Sequence, residues 1–253
     1  MDKNESVWEY FGENDPYFGV LSTDEMRDDV FVAESRRKFF ESGREHVERL
    51  WAEMQANFGS SPAPRRALDF GCGVGRVAIP MAAHCANVVG VDISPGMVEE
   101  ARRNAGTFGI ENASFEKSHD KFFRTAGEFD LIHSFVVFQH IYPAKGMRIF
   151  GEVIDSLSEN GIGIIQFPYA SSTATPAQKM RYRLYRDVPG VYALRNLAVR
   201  DRKEPLIPMY PYNLNEVMLL LQKKGCHRCF IKFSDHGYEG VVLFFQKTPD
   251  KLF

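Results

Sequence analysis

From residue 66 onward the chain alternates short, nearly unbroken apolar runs with stretches whose apolar residues recur every three or four positions. The runs at 66–70, 87–91, 113–117, 129–138 and 162–167 read as strands. Residues 129–138 are continuous enough for a central parallel strand buried on both faces. Helical spacing opens at about Val74, runs from Pro95 to about Ala105, and covers about 144–157. Ser94 is placed as an N-cap with Pro95 at the first helical position. Glu99 and Glu100 fall early in that helix, and Gly106 is its stop. Asn160 and Gly161 turn the chain into the fifth strand, and residues 213–224 form an amphipathic helix ended by Gly225. Two last runs, 230–233 and 241–246, are joined by residues 234–240. Strands alternating with helices and closing on a hairpin predict an α/β fold: a doubly wound, mostly parallel seven-stranded sheet with one antiparallel strand.

Upstream, residues 31–58 have helical spacing, with Phe39, Phe40, Val47, Leu50, Trp51 and Met54 on one stripe. Residues 59–64 are a linker. The first 30 residues carry nine acids (Asp2, Glu5, Glu9, Glu13, Asp15, Asp24, Glu25, Asp28 and Asp29) against Lys3 and Arg27. Trp8, Tyr10, Phe11, Tyr17 and Phe18 are interleaved among them. A disordered tail would lack those aromatics, so the arm is expected to pack. Residues 169–212 are too long for an ordinary connection. They carry eight basic residues (Lys179, Arg181, Arg183, Arg186, Arg195, Arg200, Arg202 and Lys203) against Asp187, Asp201 and Glu204. The expected organisation is an N-terminal arm and helix over 1–60, a ligand-binding domain over 61–168 and 213–253, and a basic insert over 169–212. Arm and insert overhang the C-terminal edge of the sheet as lids. There is no internal repeat and no low-complexity tract.

Composition narrows the class. At 253 residues, with 44% hydrophobic and 25% charged positions, the chain suits a soluble protein of one α/β domain with additions or of two small domains. Its 21 phenylalanines point to a thick core or an apolar pocket. A net charge of −2 gives no global sign of nucleic-acid binding. The polar N-terminus is no secretory signal, and no apolar run approaches the roughly 20 residues of a membrane span. A cytoplasmic protein without a membrane partner is expected. There are four cysteines, Cys72, Cys85, Cys226 and Cys229; Cys72 lies in the glycine loop, while Cys226 and Cys229 flank His227-Arg228 like half a zinc site. There is no second pair, and a strand would point those two thiols to opposite faces, so no metal is expected.

The chemistry concentrates at Ala67-Leu-Asp-Phe-Gly-Cys-Gly-Val-Gly-Arg76 and at Val89-Gly-Val-Asp92. A strand, a glycine turn, a helix and a second strand ending in an acid make a nucleoside-binding half-sheet, with Asp92 placed to accept both ribose hydroxyls. The dinucleotide fingerprint needs a third glycine where Arg76 stands. Here the glycines fall at 71, 73 and 75. Asp69 precedes them, where it would repel a pyrophosphate and suit a cationic amine.

This pattern resembles the first motif of the class I S-adenosylmethionine (SAM) dependent methyltransferases, acid-x-Gly-x-Gly-x-Gly, matched without a gap by Asp69, Gly71, Gly73 and Gly75. Another kind of Rossmann-like nucleotide domain is the alternative. The resemblance implies that SAM is the cofactor, with the backbone of Gly71, Cys72 and Gly73 near its methionine and ribose portion. It implies Asp69 near the amino group, Asp92 on the ribose and Ile93 on the adenine face. His119 and Asp120 are rivals for the adenine amino group. Ser134 and Phe135 stand where the fourth strand meets the methionine end. Arg76 either meets the cofactor carboxylate or is an exposed first-turn arginine.

The stretch Ser134-Phe-Val-Val-Phe-Gln-His-Ile141 is similar to a segment of many bacterial small-molecule and glycan-associated methyltransferases. Its His140 is a candidate base toward a hydroxyl or a packing residue, and His236 is a second candidate base. Tyr169, Tyr210 and Tyr212 either line the acceptor pocket or pack at loop edges. The basic insert either meets an anionic acceptor or partners the acidic arm. The expectation is a methyltransferase acting on a small molecule or glycan at a hydroxyl oxygen, as a monomer or homodimer and without a nucleic-acid partner. N-methylation and a catalytically silent SAM-binding protein are the alternatives.

Overall fold

The computed structural model describes residues 3–59, 64–119, 122–171, 175–188, 190–199, 204–236 and 238–248. Three helices come first: α1 (Lys3–Asn14), α2 (Pro16–Val20) and α3 (Ala33–Phe58). The core then runs β1 (Arg66–Phe70), α4 (Ala78–Met81), β2 (Asn87–Asp92), α5 (Pro95–Thr107), β3 (Ala113–Lys117), α6 (Phe122–Thr125), β4 (Phe129–Ser134), α7 (Pro143–Asp155) and β5 (Leu157–Ala170). The insert forms α8 (Pro176–Asp187) and α9 (Val191–Val199), and α10 (Leu214–Lys223), β6 (Arg228–Asp235) and β7 (Glu239–Gln246) complete the chain. The seven strands lie in the order β3-β2-β1-β4-β5-β7-β6. All pairs are parallel except β5 with β7 and β7 with β6, so β7 is the antiparallel strand.

Alternation along the strands divides the core between two faces. Ala67, Leu131, Ile164 and Phe244 meet Phe39, Val47 and Leu50 of α3. Leu68, Ile132, Phe167 and Phe245 meet Phe150 and Ile154 of α7 and Val217 and Leu221 of α10. Each such side chain contributes about 1.5–3 kcal/mol on burial. No helix among the described residues is long and apolar enough to cross a membrane.

Several boundaries differ from the sequence reading, each for a local reason. The fourth strand ends at Ser134 instead of continuing to 138, because Val136 turns left-handed at φ +61°. That conformation is rare for a β-branched residue. The helix after the glycine loop starts at Ala78 and not at Val74, since Gly73 and Gly75 have φ of +51° and +87°. The helix from Pro95 continues to Thr107, and the left-handed stop is Gly109 in place of Gly106. Leu157 belongs to β5, where it pairs with Phe129 before a bulge that includes Asn160 at φ +64°.

The arm is anchored, as its aromatics implied. Glu9 accepts from the Ser94 hydroxyl at 2.6 Å and from Gly96 N–H at 3.3 Å, while Tyr17 donates to Glu100 at 2.6 Å. Arg27 lies over the Phe18 ring and pairs with Asp15 at 3.2 Å and with Glu204 of the insert at 2.7 Å. One arginine therefore ties the two covering segments together.

At Gly43 of α3 an added Cβ would lie 2.0 Å from the Arg76 carbonyl oxygen. This glycine lets the helix sit directly on the glycine loop. Alanine is the better helix former by about 1 kcal/mol, yet Gly43→Ala is expected to destabilise by about 1–3 kcal/mol through overpacking. A thermal melt decides the matter, and an unchanged or higher midpoint would refute the close-contact role.

Candidate functional site

A cavity of about 660 Å³ opens at the C-terminal ends of β1, β2 and β4, within the usual range for small-molecule sites. The glycine loop supplies Gly71 and Gly73, and β2 supplies Asp92 and Ile93. The turns after β3 and β4 supply Ser118, His119, Phe135, Val137, Gln139 and His140. The arm contributes Trp8, Val20 and Leu21, the insert contributes Ile207 and Met209, and His236 enters from the loop between β6 and β7.

The glycines are there for close approach. Gly71 has φ +77°, and a Cβ on it would meet Val137 Cγ2 at 2.3 Å; on Gly73 it would meet Val20 Cγ2 at 2.5 Å. Gly71 and Cys72 donate their N–H groups to the Val91 carbonyl at 2.8 and 2.9 Å, which pins the loop to β2. Asp92 secures the next turn. Its Oδ2 accepts from Gly73 N–H at 2.9 Å and its Oδ1 from Ser94 N–H at 3.0 Å. Burial pushes the Asp92 carboxyl up to about 6, against the opposing pull of those backbone donors.

The expected cofactor residues divide in two. Gly71, Gly73, Asp92, Ile93, His119 and Phe135 line the cavity. Asp69, Cys72, Gly75, Arg76 and Ser134 are not among its lining residues. Cys72 is buried with its sulfur beside Gly90, and burial holds its thiol well above the ordinary value. A Cβ on Gly75 would press on Ile79 at 3.0 Å, so that glycine serves packing. Ser134 donates its hydroxyl to the Phe70 carbonyl at 2.9 Å. Arg76 lies under α3, where its guanidinium reaches Ser42 Oγ at 3.2 Å, so it is no exposed first-turn residue. Asp120 lies outside the described residues.

Asp69 has a partner that the sequence reading missed. It lies beside His133 in the β1–β4 register, and its Oδ1 is 2.8 Å from His133 Nδ1. His133 Nε2 is in turn 3.1 Å from Nε2 of His46 on α3. Asp69 and His133 are 3% and 1% exposed, so this chain of three is buried. Burial, then the nearby His133 and Arg76, drives His46 far below the ordinary imidazole range, which makes it neutral. The available signal was that Asp69 and His133 are polar residues inside adjacent buried strands, at paired positions. His46 likewise falls on the buried stripe of α3 with Phe39, Gly43 and Leu50.

The two candidate bases differ in kind. His140 Nδ1 is 2.8 Å from the Pro208 carbonyl, which only accepts, so that nitrogen carries the proton. Its Nε2 then offers a lone pair, already engaged by the Gln139 amide at 3.1 Å. Trp8 packs edge-on against the ring at 4.9 Å, and burial lowers its pKa to about 4. Both nitrogens of His140 are occupied. His236 lines the cavity, meets the Phe135 ring edge-on at 4.9 Å, and its side chain has no hydrogen bond among the described residues. Its pKa is lowered by burial, with Asp235 opposing, so at neutral pH it presents a basic nitrogen. Tyr212 donates to the Ile141 carbonyl at 2.9 Å and is core, whereas Tyr210 stacks edge-on with Tyr142. Among the described residues no group of His, Cys, Asp or Glu is arranged to hold a metal ion.

Residues 67–161 match the family described as a methyltransferase domain. Over 158 residues, 62% of the chain, it is 31% identical to the 23S rRNA (uracil(1939)-C(5))-methyltransferase RlmD of Marinomonas sp. (strain MWYL1). The match covers 32% of that relative, so the chain spans about a third of its length. Among solved structures, magnesium protoporphyrin IX methyltransferase ChlM of Synechocystis PCC 6803 with bound SAM aligns over 98% of both chains, at TM-score 0.59 and 19% identity. The N-methyltransferase NodS of Bradyrhizobium japonicum WM9, in complex with S-adenosylhomocysteine (SAH), aligns over 98% of this chain and all of its own, at TM-score 0.59 and 15% identity. Those two likenesses are likenesses of fold. Residues 67–161 thus match a methyltransferase domain family, and the strand order with these two likenesses gives the chain the Rossmann-like fold of such enzymes.

Proposed function

We propose that this chain binds SAM in the cavity and directs methyl transfer to a hydroxyl oxygen of a small molecule. The observation that carries the reading is the cavity itself. One end has the glycine cradle and Asp92; the other has an apolar wall from both covering segments and an imidazole with an uncommitted nitrogen. The residues fit the cofactor, since a Cβ at Gly71 or Gly73 would crowd the loop against Val137 or Val20, and Asp92 lines the cavity with its carboxylate held by the N–H groups of Gly73 and Ser94. The bound cofactor supplies a sulfonium-activated methyl group. Asp92 would accept from the ribose hydroxyls, Ile93 and His119 would flank the adenine, and the arm and insert would exclude water. Methyl transfer then depends on positioning, and a hydroxyl acceptor must lose a proton as its oxygen attacks. His236 takes that proton, while His140 holds the wall.

The curated relative acts on ribosomal RNA. For this chain a small molecule is favoured, because both the arm and the insert contribute residues to the cavity and the net charge is −2. Residues 1–60 and 169–212 act as lids on the domain of 61–168 and 213–253. The cytoplasm suits four cysteines that are all unpaired.

The test is transfer of label from methyl-tritiated SAM into a cell extract separated into RNA and low-mass fractions. Label in the low-mass fraction supports the reading, and label in RNA overturns it. With that labelled acceptor, His236→Gln is expected to lower kcat by about 10²–10³-fold with little change in the SAM KM. The wild-type rate should fall as the pH drops through the lowered pKa of His236. Full activity in the variant would instead indicate an amine acceptor that arrives neutral.

A further inference from the structure

Gln139 holds an unanswered hydrogen-bond acceptor in the cavity wall. It sits in the tight turn after Val136, and its backbone carbonyl accepts from Tyr210 N–H at 2.8 Å. The adjacent His140 donates to Pro208 of the same insert segment. Gln139 thus lines the cavity in a turn that the insert holds, together with Ile207 and Met209 of that insert.

Its amide orientation follows from its neighbour. His140 is neutral with its proton on Nδ1, so Nε2 is a lone pair and the group 3.1 Å away must be the amide N–H of Gln139. A flipped amide would set oxygen against lone pair. The carbonyl Oε1 is thereby aimed elsewhere, and it has no partner among the described residues although Gln139 is only 3% exposed. A buried carbonyl that has given up water without finding a donor is costly to leave unmade. The same cavity has apolar lining from Val20, Leu21, Phe135, Ile207 and Met209.

We propose that Gln139 Oε1 sets acceptor specificity by taking a hydrogen bond from an O–H or N–H donor on an otherwise apolar small molecule. The inference rests on the methyl-transfer reading and names the acceptor chemistry that the reading leaves open. A site built around such a contact rejects isosteres that lack the donor, because the carbonyl then stays unpaired.

The probes are 1-naphthol and its donor-free counterpart 1-methoxynaphthalene, titrated by ligand-observed NMR into protein saturated with SAH. SAH binding is measured first, so a failure of the cofactor reading shows there and is separate from a failure here. In the wild type 1-naphthol should bind at least about tenfold more tightly than its ether. In Gln139→Met, which keeps length without polarity, the gap should close while SAH affinity holds. Equal binding of the pair by the wild type, a gap that survives in Gln139→Met, or binding of neither probe to the SAH-loaded protein would each overturn the proposal. The wild-type comparison stands even if the variant folds poorly.

Discussion

Asp92→Asn is expected to weaken SAM and SAH binding by about 100-fold or more. Hydrogen bonds to a charged acceptor contribute about 1.5–3 kcal/mol each, and two ribose hydroxyls are at stake. The asparagine also disturbs the loop, since one of the two backbone donors, Gly73 N–H or Ser94 N–H, would face an amide N–H. Calorimetric titration at pH 7.5 measures the loss, and affinity within about threefold of wild type would refute the ribose role of Asp92. In the wild type the same carboxylate sets a pH dependence. Its pKa is raised to about 6 in the folded chain, so affinity should fall by about tenfold per pH unit below 6 as the carboxylate protonates. The stability of the free protein moves the opposite way. The folded state binds that proton more tightly than the unfolded chain, so this group favours folding as the pH falls from about 6 towards 4.

The second large effect is on stability. His133→Leu removes the partner of an Asp69 that is 3% exposed and leaves a buried carboxylate without its hydrogen bond. Breaking one half of a buried pair costs about 3–5 kcal/mol, and for a chain of this size the melting midpoint should drop by about 10 °C. Asp69→Asn in the same background should recover a substantial part of the loss, because the uncompensated charge is gone. A melt of the single and double variants checks this. Additive losses would show that Asp69 and His133 do not act as a pair.

The regular part of this architecture was legible in the sequence because it rests on local rules. Continuous apolar runs marked buried strands, the hairpin marked the antiparallel strand, and Ser94-Pro95 marked a helix start with its cap bond to Met97 N–H at 3.1 Å. The glycine loop and Asp92 were legible because they form one contiguous strand-turn-helix-strand unit. What escaped depended on distant parts of the chain. The end of β4 is set by a left-handed valine inside an apolar run, a conformation that no residue pattern announces. Asp69 was assigned to the ligand, and the β1–β4 pairing gives it His133 as a partner, whose other nitrogen meets His46 of α3. His140 looked available as a base until the insert brought the Pro208 carbonyl to one nitrogen and the adjacent Gln139 covered the other. Trp8 reaches the cavity on an arm that Glu9 anchors at the N-terminus of α5, a contact between distant parts of the chain.

The central claim is that this cavity is a SAM site, and the most direct test is an isothermal titration of the purified chain with SAH at pH 7.5. One saturable site per chain is predicted, with adenosine binding at least about 100-fold more weakly because it leaves the methionine end of the cavity unfilled. Absence of SAH binding at millimolar concentration would contradict the account.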